Sequence, residues 1–167
     1  MPLSRQYPET DDIHLIDIVK MISARHDWDF DHVADDRIVM AIEGQWRTYS
    51  VTLAWSASDE MLRMICTFDM NPPARSLPKL YEVLNLANDA CWAGTFSYWQ
   101  AQKLMVYRYG LVLAGEQMAS ARQITRIIEM AILVAERYYP AFQLACWGNS
   151  TAKEAVQVAI AEGYGHA

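Results

Sequence analysis

The densest group of possible metal ligands in the sequence is the run 26–32, where histidine and aspartate alternate with aromatic residues. In an extended strand Asp27, Asp29 and Asp31 would share one face and could hold a cation. Carboxylates two residues apart on a strand stand about 7 Å apart, however, too far to share one ion unless the backbone curls. A calcium loop of the EF-hand type would also need glycine and glutamate where this chain has histidine and isoleucine. We therefore expect a solvated strand face and no metal.

Nucleophilic catalysis would need a serine or cysteine with a histidine in hydrogen-bond reach and a third group orienting that histidine. None of the four histidines, His14, His26, His32 and His166, is flanked by a nucleophile-elbow or metalloprotease motif. Cys91 falls on the apolar stripe of a predicted helix, where a small buried hydrophobe is expected rather than a thiolate. The sequence also lacks a phosphate-binding loop and a dinucleotide fingerprint. We predict a protein without catalytic residues or cofactor, and not an enzyme.

Two asparagines and one arginine remain as polar candidates for binding. Asn85 and Asn88 are three residues apart on a predicted helix, although side-chain amides near a helix end usually bond nearby backbone groups. Arg108 is predicted on the opposite strand face from Tyr107 and Tyr109. Its planar guanidinium suits a buried structural contact, with Asn85 or Asn88 as partner, or the binding of a carboxylate on another protein. We favour the structural role.

Aromatic residues are the remaining signal. They lie on one predicted strand and on one predicted hairpin, as Trp46, Tyr49, Trp55, Tyr98, Trp99, Tyr107 and Tyr109. Such a stripe is usually core, but a sheet covered by helices on one face leaves its other face free for contact. Tyr98 and Trp99 are adjacent and must point to opposite sides of their strand, so one of them is expected to leave the core. The predicted interaction or structural motif comprises Asn85, Asn88, Gly94, Tyr98, Trp99, Tyr107, Arg108 and Tyr109.

The composition indicates one domain, residues 1–167, with a core of its own. Of the 167 residues 53% are hydrophobic and 20% charged, which excludes a disordered chain. The three cysteines are far apart, and neither a secretion signal nor an apolar run long enough to span a membrane is present, so we expect a cytoplasmic protein. A net charge of −6 opposes approach to nucleic acid or an anionic membrane. The pairs Arg122 with Arg126 and Lys103 with Arg108 are too sparse to follow a phosphate backbone.

Hydrophobic periodicity predicts the elements that would position these residues. A helix over 11–24 precedes four strands at 28–33, 37–43, 46–55 and 61–70, with short turns that imply antiparallel neighbours. A helix then runs from Ser76 to a stop at Gly94, followed by a hairpin of strands 95–100 and 103–113. A long helix over 117–138 is expected to break at Pro140, and its apolar surface is broad enough for part of it to face another subunit. A capping box, Thr151 with Glu154, opens a final short helix to 162.

This order predicts an α+β fold, in which a four-strand meander and a hairpin form one antiparallel sheet of about six strands packed with helices. Three segments carry a resemblance to a known family: Leu84-Asn85-Leu86-Ala87-Asn88, Gly94-Thr95-Phe96 and Tyr107-Arg108-Tyr109-Gly110-Leu111-Val112-Leu113. In order and spacing they resemble the YbjN family of bacterial proteins over most of the chain. The resemblance implies a fold similar to type III secretion chaperones, a role as a sensory transduction regulator and no established enzymatic activity. The prolines at Pro72 and Pro73 and the strand tryptophans depart from the family and leave the preferred partner open.

The function predicted from these observations is a non-enzymatic protein-interaction module, chaperone-like or regulatory. It would bind an unidentified protein partner and form a homodimer through its sheet or its long helix. The alternative is a binding domain for a small apolar or amphipathic ligand held between sheet and helices. A closed apolar pocket would favour the ligand, whereas an open aromatic sheet face would favour the interaction module.

Overall fold

The computed structural model describes residues 15–115 and 117–164, with side chains described as far as Ala161. The predicted helix start at Asp11, together with His14 and His166, lies outside the described residues. The helices are α1 (Leu15–Arg25), α2 (Leu77–Ala90), α3 (Ala121–Trp147) and α4 (Ala152–Tyr164). The strands are β1 (Asp29–Ala34), β2 (Arg37–Glu43), β3 (Thr48–Ser56), β4 (Met61–Asp69), β5 (Thr95–Trp99) and β6 (Leu104–Val112). A 3₁₀ turn, Ala74–Ser76, leads into α2.

The strands form one six-stranded sheet in the order β1-β2-β3-β4-β6-β5, and every neighbouring pair is antiparallel. The predicted α+β class, the four-strand meander and the hairpin are therefore confirmed. The sequence did not predict how the hairpin joins the meander. Its second strand, β6, pairs with β4, so that β5 forms an edge of the sheet.

The helices cover one face of the sheet, and the core lies between them. The strand residues of this face are buried in alternation, as in Tyr49, Val51 and Leu53 of β3. Residues of the other face are half-buried or exposed, apart from Val106, which is buried. We call this second surface the open face. Sheet and helices meet in an aromatic cluster, where the Phe96 ring lies 5.0 Å from the Tyr107 ring and 5.0 Å from the Phe142 ring.

Helix α3 continues through Pro140, so the predicted break at this residue is wrong. Proline in a helix interior costs about 3 kcal/mol, because it removes one hydrogen bond and crowds the preceding turn. Beyond Pro140 the helix buries Ala141, Phe142, Ala145 and Cys146. Burial of these side chains against the core offsets the cost, because an aromatic residue such as Phe142 alone contributes about 1.5–3 kcal/mol. The helix begins at Ala121 because Ser120 and Gln123 form a reciprocal capping box.

The prediction that Gly94 ends α2 is wrong. The helix stops at Ala90 with an extended cap at Cys91. Gly94 is needed for a close approach, since a Cβ there would lie 2.6 Å from Cζ of Tyr107 and 2.7 Å from the carbonyl oxygen of Arg108. The capping box predicted for α4 is confirmed, with Glu154 N donating to Thr151 Oγ1 and Thr151 N donating to Glu154 Oε2, both at 3.2 Å.

Candidate interaction site

Asn88, near the end of α2, bonds the outer edge of β5 through both groups of its side-chain amide. Phe96 N donates to Asn88 Oδ1 at 2.6 Å, and Asn88 Nδ2 donates to Phe96 O at 3.0 Å. These backbone groups of Phe96 point away from β6, so the amide takes the place of a neighbouring strand. The structural use predicted for Asn88 is confirmed. Asn85, one turn earlier, is exposed.

Replacing Asn88 with alanine should destabilise the protein by about 1–2 kcal/mol, because the variant leaves a part-buried N–H and a part-buried C=O without their partner. Asn85→Ala is the matched control, since it removes the same side chain from an exposed position of the same helix and should change stability by less than about 0.5 kcal/mol. Urea unfolding monitored by circular dichroism measures both variants. Equal midpoints for the two would show that the amide pair contributes nothing.

The adjacent residues Tyr98 and Trp99 point to opposite faces of the sheet, as predicted. Tyr98 packs against the core and donates a hydrogen bond from its hydroxyl to the carbonyl oxygen of Met70 at 2.9 Å. Trp99 lies on the open face. Tyr107 is buried on the helix side, and this burial raises the pKa of its hydroxyl to about 12. Tyr109 packs partly against the same core. The predicted motif therefore divides into a core part and an open-face part.

Arg108 belongs to the open face, and the buried contact predicted for its side chain is wrong. The side chain is exposed, and neither Asn85 nor Asn88 is bonded to it. The reason is strand parity: because Tyr107 faces the helices, its neighbour must face away from them. On β4 the residue paired with Arg108 is Ile65, and on β5 it is Thr95. No ion pair joins Arg108 to any carboxylate in the part of the chain that the structure describes.

A depression of about 590 Å³ on the open face surrounds Arg108. Its lining residues are Met61, Arg63, Met64, Ile65, Ala93, Gly94, Thr95, Trp99, Arg108, Tyr109 and Gly110, and we call it the open-face groove. Arg63 pairs with Gly110 across the β4–β6 ladder, so it is a diagonal neighbour of Arg108, roughly 7–8 Å away. Arg63 also forms an ion pair with Asp59, but both side chains are about half exposed, and an exposed pair of this kind is weak. The groove thus combines positive charge with apolar and aromatic walls.

Within the described residues, the cysteines and the acidic run 26–32 do not form a reactive centre. Burial raises the pKa of Cys66 to about 12 and that of Cys146 to about 11, and it raises the pKa of the half-buried Cys91 as well. All three are therefore protonated thiols at neutral pH. Asp27 has a φ of 55° and precedes β1, so the prediction that it shares a strand face with Asp29 and Asp31 is wrong. Among the described residues no cluster of three possible metal ligands occurs.

The sequence did not identify three residues near the groove. Met61 and Ile65 belong to the predicted strand 61–70, and both become groove walls because β6 rather than β5 pairs with β4. Trp92, the residue before the groove-lining Ala93, is fully exposed. Trp92 lies in the last turn of the predicted helix that stops at Gly94, and a large aromatic residue so close to a helix end was the signal that could have indicated it.

These features define an α+β protein with an antiparallel sheet that is covered by helices on one face and carries a basic, aromatic groove on the other. Residues 15–144 match the model of the YbjN family, described as "Putative bacterial sensory transduction regulator". Because this match spans more than half of the chain, the protein belongs to the YbjN family. The family description names a regulator and no enzymatic activity.

A solved structure supports the fold. The crystal structure of YbjN from E. coli, described as "a putative transcription regulator", is similar with a TM-score of 0.50 and 12% sequence identity. The similarity covers 74% of this chain and 93% of the E. coli chain. A comparison with curated proteins finds no match. The resemblance to type III secretion chaperones stays a prediction. None of the described helices combines the length and apolarity needed to cross a bilayer.

Proposed function

We propose that this chain is a non-enzymatic protein-interaction module, chaperone-like or regulatory, that contacts its partner through the open face. The observation that carries the proposal is the open-face groove, where Trp99 and Arg108 stand beside the apolar side chains of Met61 and Ile65. Tryptophan and arginine dominate the energetics of protein interfaces, because they bury a large area and still offer polar contacts. The fully exposed Trp92 beside the groove enlarges this surface.

The packing between sheet and helices favours this proposal over a small-ligand domain. The aromatic side chains that a ligand would use instead contact one another. The Phe96 and Phe142 rings lie 5.0 Å apart, and the Phe68 ring lies 5.5 Å from that of Tyr139. The open-face groove, in contrast, is open to solvent and is lined by both polar and apolar residues. Such a shallow depression suits a polypeptide better than an enclosed small molecule.

A homodimer in the cytoplasm remains part of the proposal, and α3 is the surface that supports it. Leu133 on this helix is 52% exposed, and its neighbours Met130 and Val134 are half-buried. Together these three side chains form a contiguous apolar patch, the kind of surface that a second subunit would cover. Sedimentation velocity at micromolar concentration should give a dimer that Leu133→Asp converts to a monomer. A wild-type monomer would refute this part alone.

Affinity capture from a lysate of the source bacterium tests the proposed function. The immobilised wild-type chain should retain partners that the variants Trp99→Ala and Arg108→Ala lose. Arg25→Ala and Trp147→Ala are matched controls, because they remove the same residue types from exposed positions at helix ends. Quantitative mass spectrometry compares the retained proteins. The proposal is overturned when the same proteins are retained to the same extent by all five chains.

A further inference from the structure

Strand β6 extends beyond its edge neighbour. Its pairing with β4 reaches Val112, whereas its pairing with β5 ends where Thr95 meets Arg108. The segment 109–112 is therefore bonded to β4 on one side, and no strand of the described residues pairs with its other side. We call this segment the free β6 edge.

The direction of the backbone groups on this edge follows from the ladder. Phe96 turns its N–H and C=O outward to Asn88. Its neighbours Thr95 and Ser97 are therefore the residues of β5 that bond β6. Their partners on β6 have even residue numbers, so the even-numbered residues of β6 direct their N–H and C=O groups toward the β5 side. Beyond the end of β5, the same groups of Gly110 and Val112 therefore point to the free side. Leu113 N donates to Glu60 O at 2.7 Å, toward β4, as this alternation requires. Both Gly110 and Val112 are exposed.

The free β6 edge has a depression on each side. The open-face groove lies on one side and includes Gly110. On the helix side a depression of about 340 Å³ lies between β6 and the first half of α3. We call it the helix-side groove, and it is lined by Tyr109, Leu111, Ser120, Arg122, Gln123, Arg126, Ile127 and Met130. A strand added at this edge would direct its alternate side chains into the two grooves, the arrangement by which sheet edges recognise extended peptides.

Both grooves carry arginines, although the chain as a whole has a net charge of −6. Arg63 and Arg108 lie in the open-face groove, and Arg122 and Arg126 lie in the helix-side groove. Apart from the exposed pair of Arg63 with Asp59, no ion pair neutralises these side chains within the described residues. If a second copy of the chain paired with this edge, its four arginines would come close to the four of the first copy. This repulsion disfavours self-pairing and favours an acidic occupant.

We propose that an extended, acidic segment of a partner protein adds to the sheet as a strand at the free β6 edge, with carboxylate side chains beside the arginines of the two grooves. The proposal rests on the proposed function and specifies the partner and its mode of binding. The partner strand would add at β6 rather than at β5, because Asn88 already bonds the N–H and C=O of Phe96 on the edge of β5. Backbone hydrogen bonds supply affinity, and the arginines select the charge of the partner.

A capped, fluorescently labelled six-residue peptide with the sequence Glu-Glu-Val-Val-Glu-Glu is the probe, because successive residues of a strand alternate in face and this order directs glutamates to both grooves. Fluorescence anisotropy should show saturable binding that weakens as salt is raised, and a peptide with lysine in place of glutamate should not bind. N-methylation of the central peptide bonds should weaken binding about tenfold or more, because it removes the donors that reach the strand edge. Arg126→Glu should weaken binding by a similar factor, and Arg25→Glu is the matched control. Gly110→Pro should abolish binding, since it removes an edge donor while leaving the ladder to β4 intact.

Each contrary result has a definite meaning. Absence of saturable binding by the folded chain up to millimolar peptide overturns the proposal, as does equal binding of the lysine peptide or of the N-methylated peptide. Self-association that Gly110→Pro removes would show that a second copy occupies the edge instead. Circular dichroism checks whether Gly110→Pro is folded. If it is not, Arg126→Glu tests the same edge without a change to the backbone. Cellular partners that depend on Trp99 and Arg108 but bind Gly110→Pro normally would leave the proposed function standing and refute strand addition.

Discussion

Phe142→Ala is expected to destabilise the protein by about 3–5 kcal/mol, a large part of the stability of a domain of this size. Phe142 is fully buried on the part of α3 that follows Pro140. Its ring lies 5.0 Å from Phe96 on β5 and 6.4 Å from Phe68 on β4. The substitution removes contacts with two strands and leaves a cavity that rigid neighbours cannot fill.

Thermal and urea unfolding of the purified variant measure this effect. Leu144→Ala is the matched control, because it truncates a half-buried side chain two residues further along the same helix and should cost markedly less. The comparison also tests whether α3 continues through Pro140. A helix that ended there would leave Phe142 outside the core, and the two variants would then differ little in stability.

The parts of the fold that the sequence predicted are those with a strong local signal. The bounds of β2, Arg37–Glu43, agree with the prediction, because a continuous apolar run, residues 38–42, is bounded by the turn residues Asp35 and Asp36 before it and Gly44 after it. The continuation of α3 through Pro140 could not be read locally, since proline is a breaker by propensity. What overrides the propensity is burial against Phe68 and Phe96, which are distant in sequence and close only in the folded chain.

The candidate site was only partly predictable for the same reason. The alternation of side chains along a strand predicted that Arg108 and Tyr107 lie on opposite faces of β6, but it could not show which face the helices cover. Once α3 packs on the side of Tyr107, Arg108 must lie on the open face. The predicted strands 95–100 and 103–113 already differed in length. That this difference leaves a free edge, however, depends on β6 pairing with β4, a long-range contact that carries no periodic signal.

Gly94→Ala is expected to destabilise the protein by about 2–3 kcal/mol, although it adds one methyl group. The new Cβ would meet two obstacles at once, the Tyr107 ring at 2.6 Å and the carbonyl oxygen of Arg108 at 2.7 Å. Neither can move freely, because the ring is buried and the carbonyl belongs to the ladder between β5 and β6. Relief would require the start of β5 to separate from β6, which would also displace Thr95 in the open-face groove.

Gly110→Ala is the matched control for this substitution. Its Cβ would also approach an atom to 2.6 Å, but that atom is the sulfur of Met61, at the far end of a flexible side chain. Because Met61 can adopt another rotamer, we expect a cost below about 1 kcal/mol. Urea midpoints of the two variants give the comparison directly, and hydrogen exchange of the β5 amides reports whether the strand separates. Equal midpoints with unchanged exchange would mean that the approach at Gly94 is relieved by a small backbone shift, and that β5 does not depend on a glycine there.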